Sequence, residues 1–255
     1  MKLGISELAW PTIDHFDKTL NALNAADISC IEMVIPKHSA WNPINVEKLK
    51  ILRNMINSAH IEIKSTQSVL FNSDVTKIGD STFLRHMEMV IDACNDIGIE
   101  KIILGSPKQR IDIYSSQLKY AFQVLDDKLA STNITILIEP NSQQYGGEYF
   151  FTIDSIVEFL AQNNFIDIKT MIDTHNIILE GGNPAEKFTE YQEYIDHVHV
   201  SELELASFKE SDLHHQLAET LNTYQYDGLV VYECNQSATL FNDIIAFSNI
   251  YNKVI

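Results

Sequence analysis

The chain has 255 residues and a mass of 29.0 kDa, a length that suits one large domain or two small ones. Hydrophobic residues make up 45% and charged residues 21% of the chain, which excludes a disordered or collagen-like protein. The formal net charge of −17 means that the average surface repels phosphate backbones and anionic membranes, so nucleic-acid binding would need a locally basic cleft.

Short β-branched segments alternate along the chain with longer segments whose apolar residues recur at helical spacing. In chain order, the predicted strands are residues 2–6, 28–34, 61–69, 101–104, 133–139, 168–173, 196–201 and 228–233. Eight amphipathic helices can be drawn between and after these strands. Helix starts are predicted at Asn45, at Thr152 and at the pair Asn183-Pro184, because these residue types cap or open helices.

Several of the predicted strands, such as residues 101–104, are continuously apolar, which is typical of parallel strands covered by helices. Eight strand–helix units in this chain average about 32 residues each, close to the repeat of a (β/α)₈ TIM barrel. A doubly wound sheet more often carries a glycine-rich turn after its first strand, and no G-x-G-x-x-G occurs there. The sequence therefore predicts a single (β/α)₈ TIM barrel domain over residues 1–255.

The cysteines and the first residues of the chain indicate the cellular compartment to expect. The cysteines Cys30, Cys94 and Cys234 are far apart and form no C-x-x-C pair, as expected of a reduced protein. The first apolar run is broken by Glu7, and no run approaches the roughly 20 residues that a spanning helix needs. We therefore expect a cytoplasmic protein with no signal peptide and no membrane segment.

The last four predicted strands each carry a side chain able to bind metal near the carboxyl end, where barrels place their catalytic groups. These side chains are Glu139, Asp173, His199 and Glu233. Strand ends converge at the barrel mouth, so the four could surround one ion. Three carboxylates and one imidazole suit Mn²⁺ or Mg²⁺, with Co²⁺ or Zn²⁺ as alternatives. The competing interpretation is that acids after strands cap helices or solvate loops.

Two cationic residues follow the fourth predicted strand. Lys108 and Arg110 could hold a phosphate or carboxylate group of a sugar, or could lie in a solvated loop. His197 faces the same side of its strand as His199, and only one of them need be a ligand, so the other could pack or support the site.

Three further polar or aromatic residues end the first three predicted strands. Trp10 could stack on a sugar face or plug the core. Glu32 and Gln67 could hydrogen-bond substrate hydroxyls or belong to a buried polar network at the barrel mouth.

Together these residues resemble the xylose isomerase-like TIM barrels, a family of sugar phosphate isomerases and epimerases. The resemblance spans nearly the whole chain, through segments 3–6, 9–10, 31–32, 67–71, 104–110, 138–141, 172–174, 197–202 and 226–228. The G-S-P-K-x-R segment at 105–110 and the E-P-N segment at 139–141 are most similar to the branch often encoded with surface-polysaccharide genes. That similarity implies a role in polysaccharide precursor metabolism.

The resemblance implies that Glu139, Asp173, His199 and Glu233 bind one divalent metal ion, and that Glu139 and Glu233 are the catalytic acid and base. A metal bridging a carbonyl and the adjacent hydroxyl acidifies the intervening C–H, so a carboxylate can remove the proton and leave an enediolate. The implied function is a metal-dependent isomerase or epimerase with a small-molecule carbohydrate substrate. A homo-oligomer is compatible with it.

The sequence departs from the epimerase arm of this family at three positions. Asn176 stands where that arm often has a histidine, with His175 one residue earlier, and Leu205 stands in place of an arginine. Tyr145 stands where that arm has a further glutamate. The predicted substrate-binding residues are therefore a set particular to this chain: Trp10, Glu32, Gln67, Lys108, Arg110, Tyr145, Asn176, His197 and Glu202.

Two other functions fit the same fold. An apurinic endonuclease would bind three metals and needs extra histidine ligands, including one at the position of Asn176, and the charge of −17 opposes DNA binding. A non-catalytic barrel with a degenerate site could bind a sugar or a protein partner, although all four predicted ligands are present. The fold alone does not decide between these functions.

Overall fold

The computed structural model describes residues 1–10, 16–112 and 115–252. Its eight strands are parallel and close into one barrel in chain order, which confirms the predicted (β/α)₈ fold. The strands are β1 Lys2–Ser6, β2 Cys30–Met33, β3 Glu62–Thr66, β4 Lys101–Leu104, β5 Thr135–Ile138, β6 Ile168–Asp173, β7 Ile195–Ser201 and β8 Leu229–Glu233. All eight overlap predicted strands: β1, β4 and β6 have the predicted bounds, β7 begins one residue earlier, and the other four are shorter than predicted.

Nine α-helices lie in these described ranges: α1 Phe16–Ala25, α2 Val46–Ser58, α3 Ser81–Ile97, α4 Ser115–Leu129, α5 Ile153–Asn163, α6 Thr174–Leu179, α7 Pro184–Tyr191, α8 Asp212–Thr223 and α9 Leu240–Tyr251. The predicted helix starts are confirmed. Asn45 accepts from the Lys48 backbone N–H at 3.0 Å, and Thr152 and Asn183 cap α5 and α7 in the same way. No helix in this part of the chain is both long and apolar enough to cross a bilayer.

The prediction of eight helices was short by one, because β6 is followed by two helices. The extra helix, α6, begins directly at the strand end, where the Asp173 side chain accepts from the Asn176 backbone N–H and caps it. Gly181, at a φ of +79°, and Gly182 separate α6 from α7. The strand-ending carboxylate therefore also starts a helix, a use that its sequence position does not reveal.

Side chains on the strands alternate between the helix layer and the barrel lumen. Small apolar clusters fill the lumen, such as that of Ile103, Leu137 and Met171 on three neighbouring strands. Residues of the opposite parity, such as Ile102 and Ile136, join the main core with the helices. Every second side chain along a strand points into the lumen. Polar side chains at the last of these positions therefore meet where the strands end, at the carboxyl end of the barrel.

Candidate metal centre

The four predicted ligands lie together at the carboxyl end of the lumen. Glu139 and Asp173 stand two residues beyond lumen-facing Leu137 and Met171, and His199 and Glu233 hold the equivalent places on β7 and β8. One ligand atom from each of the four lies within 4.8 Å of the others. Asp173, His199 and Glu233 are buried, and the Glu139 side chain is 13% exposed.

Nδ1 of His199 faces all three carboxylates. It lies 3.1 Å from Oε1 of Glu139, 3.5 Å from Oε2 of Glu233 and 4.0 Å from Oδ2 of Asp173. The other oxygen of each carboxylate is held by the protein. Asn141 donates to Glu139 at 3.1 Å, Gln67 to Glu233 at 2.8 Å, and Ser201 to Asp173 at 3.0 Å. Each carboxylate thus keeps one oxygen directed at a common point.

The cluster concentrates negative charge in a buried space. Burial, together with the charges of Glu139 and Glu233, raises the pKa of Asp173 to about 8. Burial also opposes ionisation of His199, but Glu32 and Glu233 outweigh it and hold the His199 pKa well above its usual range. The raised pKa of Asp173 reflects repulsion from the two neighbouring carboxylates, and a bound cation would relieve that repulsion.

The donor set and the space around it fit a divalent metal. Three carboxylate oxygens and one imidazole nitrogen are ligands that Mn²⁺ accepts readily, and Mg²⁺ and Zn²⁺ also use such groups. Gly105 makes room for the Glu139 carboxylate, because a Cβ at position 105 would lie 2.3 Å from Oε2 of Glu139. The arrangement can therefore hold one ion.

A second group of polar side chains lies against the far side of the His199 ring. Glu32 is fully buried and accepts from Nε2 of His199 at 2.8 Å, from Gln67 at 2.8 Å and from Ser65 at 2.8 Å. Nε2 of His197 lies 3.1 Å from the same carboxylate. Of the two interpretations open for Glu32 and Gln67, this geometry fits the buried polar network.

A cavity of about 300 Å³ opens beside the cluster and is lined by Glu139, Gln67 and Lys108, among others. Its size is at the low end for ligand pockets. Lys108 is exposed and makes no ion pair within the described part of the chain. A larger cavity of about 730 Å³ lies between the loops after β2 and β3 and α3, but none of the four ligands lines it. The chemistry therefore favours the smaller cavity as the substrate space.

Tyr145 lies in the loop after β5, and its hydroxyl is 2.5 Å from Nε2 of His175. His175 follows Asp173 by two residues, and the carboxylates of Glu233 and Glu139 act on its charge. Burial has the larger effect and lowers the pKa of His175, which favours the neutral form of that imidazole. Asn176 is turned away to cap the Ser142 backbone N–H at 3.0 Å.

Three other predicted substrate-binding residues are held within the protein, two by hydrogen bonds and one by packing. The Arg110 guanidinium is buried and donates to four backbone carbonyls, those of residues 104, 105, 139 and 150. Glu202 accepts from the Lys209 backbone N–H at 2.8 Å and lies 3.1 Å from Nε2 of His214. Trp10 is 5% exposed and packs in the core, as its core-plug interpretation requires.

Three polar residues that hold these carboxylates were not among the predicted site residues: Asn141 donates to Glu139, Ser201 to Asp173 and Ser65 to Glu32. Two of them carried a usable signal. Asn141 and Ser201 stand two residues after Glu139 and His199, and side chains two apart on a strand face the same way. The spacing could therefore have indicated them as partners of the ligands.

The xylose isomerase-like TIM barrel model matches residues 20–249. No curated protein matches the chain. The solved structure of 3-keto-D-glucoside 4-epimerase from E. coli superimposes with a TM-score of 0.77 at 17% identity, over 98% of this chain and 99% of that one. D-psicose 3-epimerase from Clostridium cellulolyticum H10, solved with D-tagatose, gives 0.74 at 14% identity, over 100% and 93%. The probable 3-DHS dehydratase from Bacillus anthracis gives 0.70 at 14% identity, over 100% of both chains. At these identities the likeness to solved structures shows the fold alone.

Proposed function

The chain belongs to the xylose isomerase-like TIM barrel family, and from that premise we propose that it is a divalent-metal-dependent isomerase or epimerase of carbohydrates. The observation that carries the proposal is the convergence of one oxygen from each of Glu139, Asp173 and Glu233 on Nδ1 of His199. These four residues would hold the ion, for which Mn²⁺ or Mg²⁺ is the preferred candidate. The names of the superimposable epimerases support a sugar substrate.

A bound divalent cation would polarise neighbouring carbonyl and hydroxyl oxygens of a sugar and acidify the C–H bond between them. Glu139 and Glu233 supply the proton transfer in this proposal. Glu139 directly follows β5 and Glu233 ends β8, the first and last of the four consecutive strands that bring the cluster together. One carboxylate removes the proton from one face of the sugar carbon and the other returns a proton on the opposite face, which inverts the carbon.

Burial opposes ionisation of Glu139, but hydrogen bonding to His199 outweighs it, so its pKa lies below the usual range and the carboxylate is ready to accept a proton. Asn141 and Gln67 hold the outer oxygens of Glu139 and Glu233, which fixes both carboxylates in place for the transfer. Lys108 lines the cavity and in this proposal binds a phosphate or carboxylate group of the substrate. Tyr145 and His175 form a hydrogen-bonded pair beside the cluster.

The first test is the metal content of the purified protein, combined with thermal unfolding in EDTA and with Mn²⁺, Mg²⁺, Co²⁺ or Zn²⁺. We expect one ion per chain and a higher melting temperature when it is bound, because binding to the folded state stabilises it. Glu233→Gln and His199→Ala should lose the ion. A wild-type chain that binds no ion under any of these conditions would contradict the proposal.

The second test follows the reaction itself. Ketohexoses, their phosphates and 3-keto-glucosides are incubated with the loaded protein in D₂O, and exchange of the carbon-bound proton is measured by NMR. Replacing Glu139 with Gln removes a proposed ligand as well as an acid or base, so it should slow exchange by at least ~10²-fold, the lower end of the usual contribution of a positioned acid or base. Glu7→Gln, which removes a buried carboxylate that contacts none of the four ligands, should leave the rate unchanged.

The endonuclease alternative is less well supported. Among the described residues, both groups of clustered metal-binding side chains contain His199, and the position that would need a further histidine is Asn176, whose side-chain oxygen is bound to a backbone amide. Three zinc ions per chain and nicking of abasic DNA would favour the endonuclease. Loss of water from the substrate in place of exchange would instead favour an elimination reaction.

A further inference from the structure

Glu32 is a carboxylate at this end of the lumen that the proposed reaction does not use. It is 0% exposed and is surrounded by hydrogen-bond donors, so it cannot reach a substrate in the cavity. A closed-off carboxylate in contact with the imidazole of a proposed metal ligand requires an explanation.

The contact between Glu32 and His199 is directional. Oε1 of Glu32 accepts from Nε2 of His199 at 2.8 Å, on the side of the ring opposite to Nδ1. An imidazole that keeps its proton on Nε2 has its free lone pair on Nδ1, which is the atom that faces the three carboxylates. We propose that Glu32 is a positioning residue, which holds the Nε2–H of His199 and so presents Nδ1 to the ion. The inference rests on the proposed metal centre.

Glu32 reaches a second ligand through Gln67. The Gln67 side-chain nitrogen lies 2.8 Å from Oε1 of Glu32, 2.8 Å from Oε1 of Glu233 and 2.8 Å from Oγ of Ser6. The same carboxylate therefore orients His199 directly and Glu233 through one intermediate. Partners of this kind fix the ring orientation of metal-binding histidines and raise their basicity.

A different role must be weighed, because Glu32, His197 and His199 are themselves close enough to share an ion. The hydrogen bonds argue against it. Ser65 donates to one oxygen of Glu32, and Gln67 and His199 donate to the other. Protons therefore occupy the directions that a second ion would need, and we expect one ion per chain.

The test measures the dissociation constant of Mn²⁺ for the full chain by isothermal titration after EDTA treatment. Glu32→Gln keeps the size of the side chain but removes its charge, and we expect it to weaken binding by ~10–100-fold, the usual effect of losing such a partner. Ser65→Ala, a milder change that removes one donor to Glu32, should weaken binding by a smaller factor and covers the case in which Glu32→Gln does not fold.

Glu7→Gln is the matched control. Glu7 is also a buried carboxylate paired with a histidine, at 2.5 Å from Nε2 of His38, and it accepts from the Val34 backbone N–H at 2.8 Å. It contacts none of the four ligands. We expect Glu7→Gln to lower the melting temperature as Glu32→Gln does, while leaving the Mn²⁺ dissociation constant within twofold of wild type.

A spectroscopic measurement separates positioning from general destabilisation. In the Zn²⁺-loaded protein, ¹⁵N correlation spectra of the imidazole rings should show His199 protonated at Nε2 only, with the proton signal moved upfield in Glu32→Gln. Unchanged Mn²⁺ affinity in Glu32→Gln and Ser65→Ala, or an equal loss in Glu7→Gln, would overturn the inference while leaving the metal centre intact. Two ions per chain would also overturn it, because Glu32 would then be a ligand. A wild-type chain without any ion would instead remove the proposed function, and this inference with it.

Discussion

At the scale of single residues, each carboxylate of the cluster divides its two oxygens between two tasks. One oxygen accepts a hydrogen bond from Asn141, Gln67 or Ser201, and the other faces Nδ1 of His199. The side chains are thereby fixed before an ion arrives, which lowers the entropy cost of binding it. These donors are neutral polar side chains, a residue type whose role in a site is hard to predict from sequence.

Arg110 and Lys108 show how two neighbouring cations take opposite roles. The Arg110 guanidinium is 1% exposed, and burial lowers its pKa to about 10. It ties together the carbonyls at the ends of β4 and β5, including that of Glu139, a proposed ligand. Lys108 is exposed at the rim of the cavity. The first is built into the scaffold, and only the second is open to an anionic group.

Replacing Arg110 with Met should destabilise the protein by about 3 kcal/mol or more, because a buried carbonyl left without its donor costs ~1–3 kcal/mol. The measurement is the urea midpoint in EDTA. Lys108→Met, the same substitution at an exposed neighbour, should change stability by less than ~0.5 kcal/mol. Equal midpoints for the two variants would show that the four carbonyl contacts do not matter for stability.

At the scale of elements, β6 and α6 meet at Asp173. Its Oδ1 accepts from the Asn176 backbone N–H at 2.9 Å and from Ser201 at 3.0 Å, while Oδ2 faces the metal cluster. The same residue therefore ends a strand, caps a helix and is placed to bind the ion. Loss of the metal-binding role and loss of the cap can be separated by choice of substitution.

Asp173→Asn keeps an oxygen acceptor for the cap, and Asp173→Ala does not. Both should lose metal affinity, and both should fold, since the residue stands at the strand end and not in the apolar core. In EDTA, we expect the alanine variant to be less stable than the asparagine variant by about 1 kcal/mol, the usual value of a helix cap. Identical urea midpoints would mean that the cap contributes nothing to stability.

The strands could be predicted because their apolar runs are continuous and end abruptly in polar residues. The grouping of the four proposed ligands could be predicted for the same reason, since Glu139, Asp173 and Glu233 each close such a run. The helix α6 was missed because it is only six residues long and starts inside the strand-end motif. Local sequence carries no boundary between the two elements.

Long-range partners explain what could not be predicted at the site. Whether Glu32 faces a substrate or the ring of His199 depends on residues 167 positions apart meeting across the lumen. The partners of Arg110 are backbone carbonyls, which have no sequence signature. Such choices are made by the closed barrel and not by the neighbouring residues.

At the scale of the whole molecule, the core encloses all three thiols. Cys30, Cys94 and Cys234 are free and 0% exposed, in keeping with the prediction of a reduced protein. Burial raises the pKa of Cys234 to about 12, and it raises the pKa of Cys30 and Cys94 as well. A raised thiol pKa means that little thiolate, the reactive form, exists at pH 8.

All three thiols should therefore react with DTNB at pH 8 at least ~10²-fold more slowly in the folded protein than in urea, since both burial and the raised pKa protect them. The rate should rise with pH, as the thiolate fraction grows towards these raised pKa values. Saturating Mn²⁺ should slow it further by stabilising the folded state. A thiol that reacts at the unfolded rate in native buffer would contradict this expectation.

The distribution of the site around the barrel divides the chain into two complementary halves. All four proposed ligands come from β5–β8, whereas Ser6, Glu32, Ser65 and Gln67, which orient them, come from β1, β2 and the region of β3. The carboxyl-terminal half contains every group that would touch the ion, yet its imidazole and its last carboxylate take their orientation from the amino-terminal half. We therefore expect cation affinity to report on closure of the barrel. Two fragments produced by a cut between β4 and β5 would regain tight cation binding only when they reassociate. The affinity recovered would measure how completely the two halves have come together.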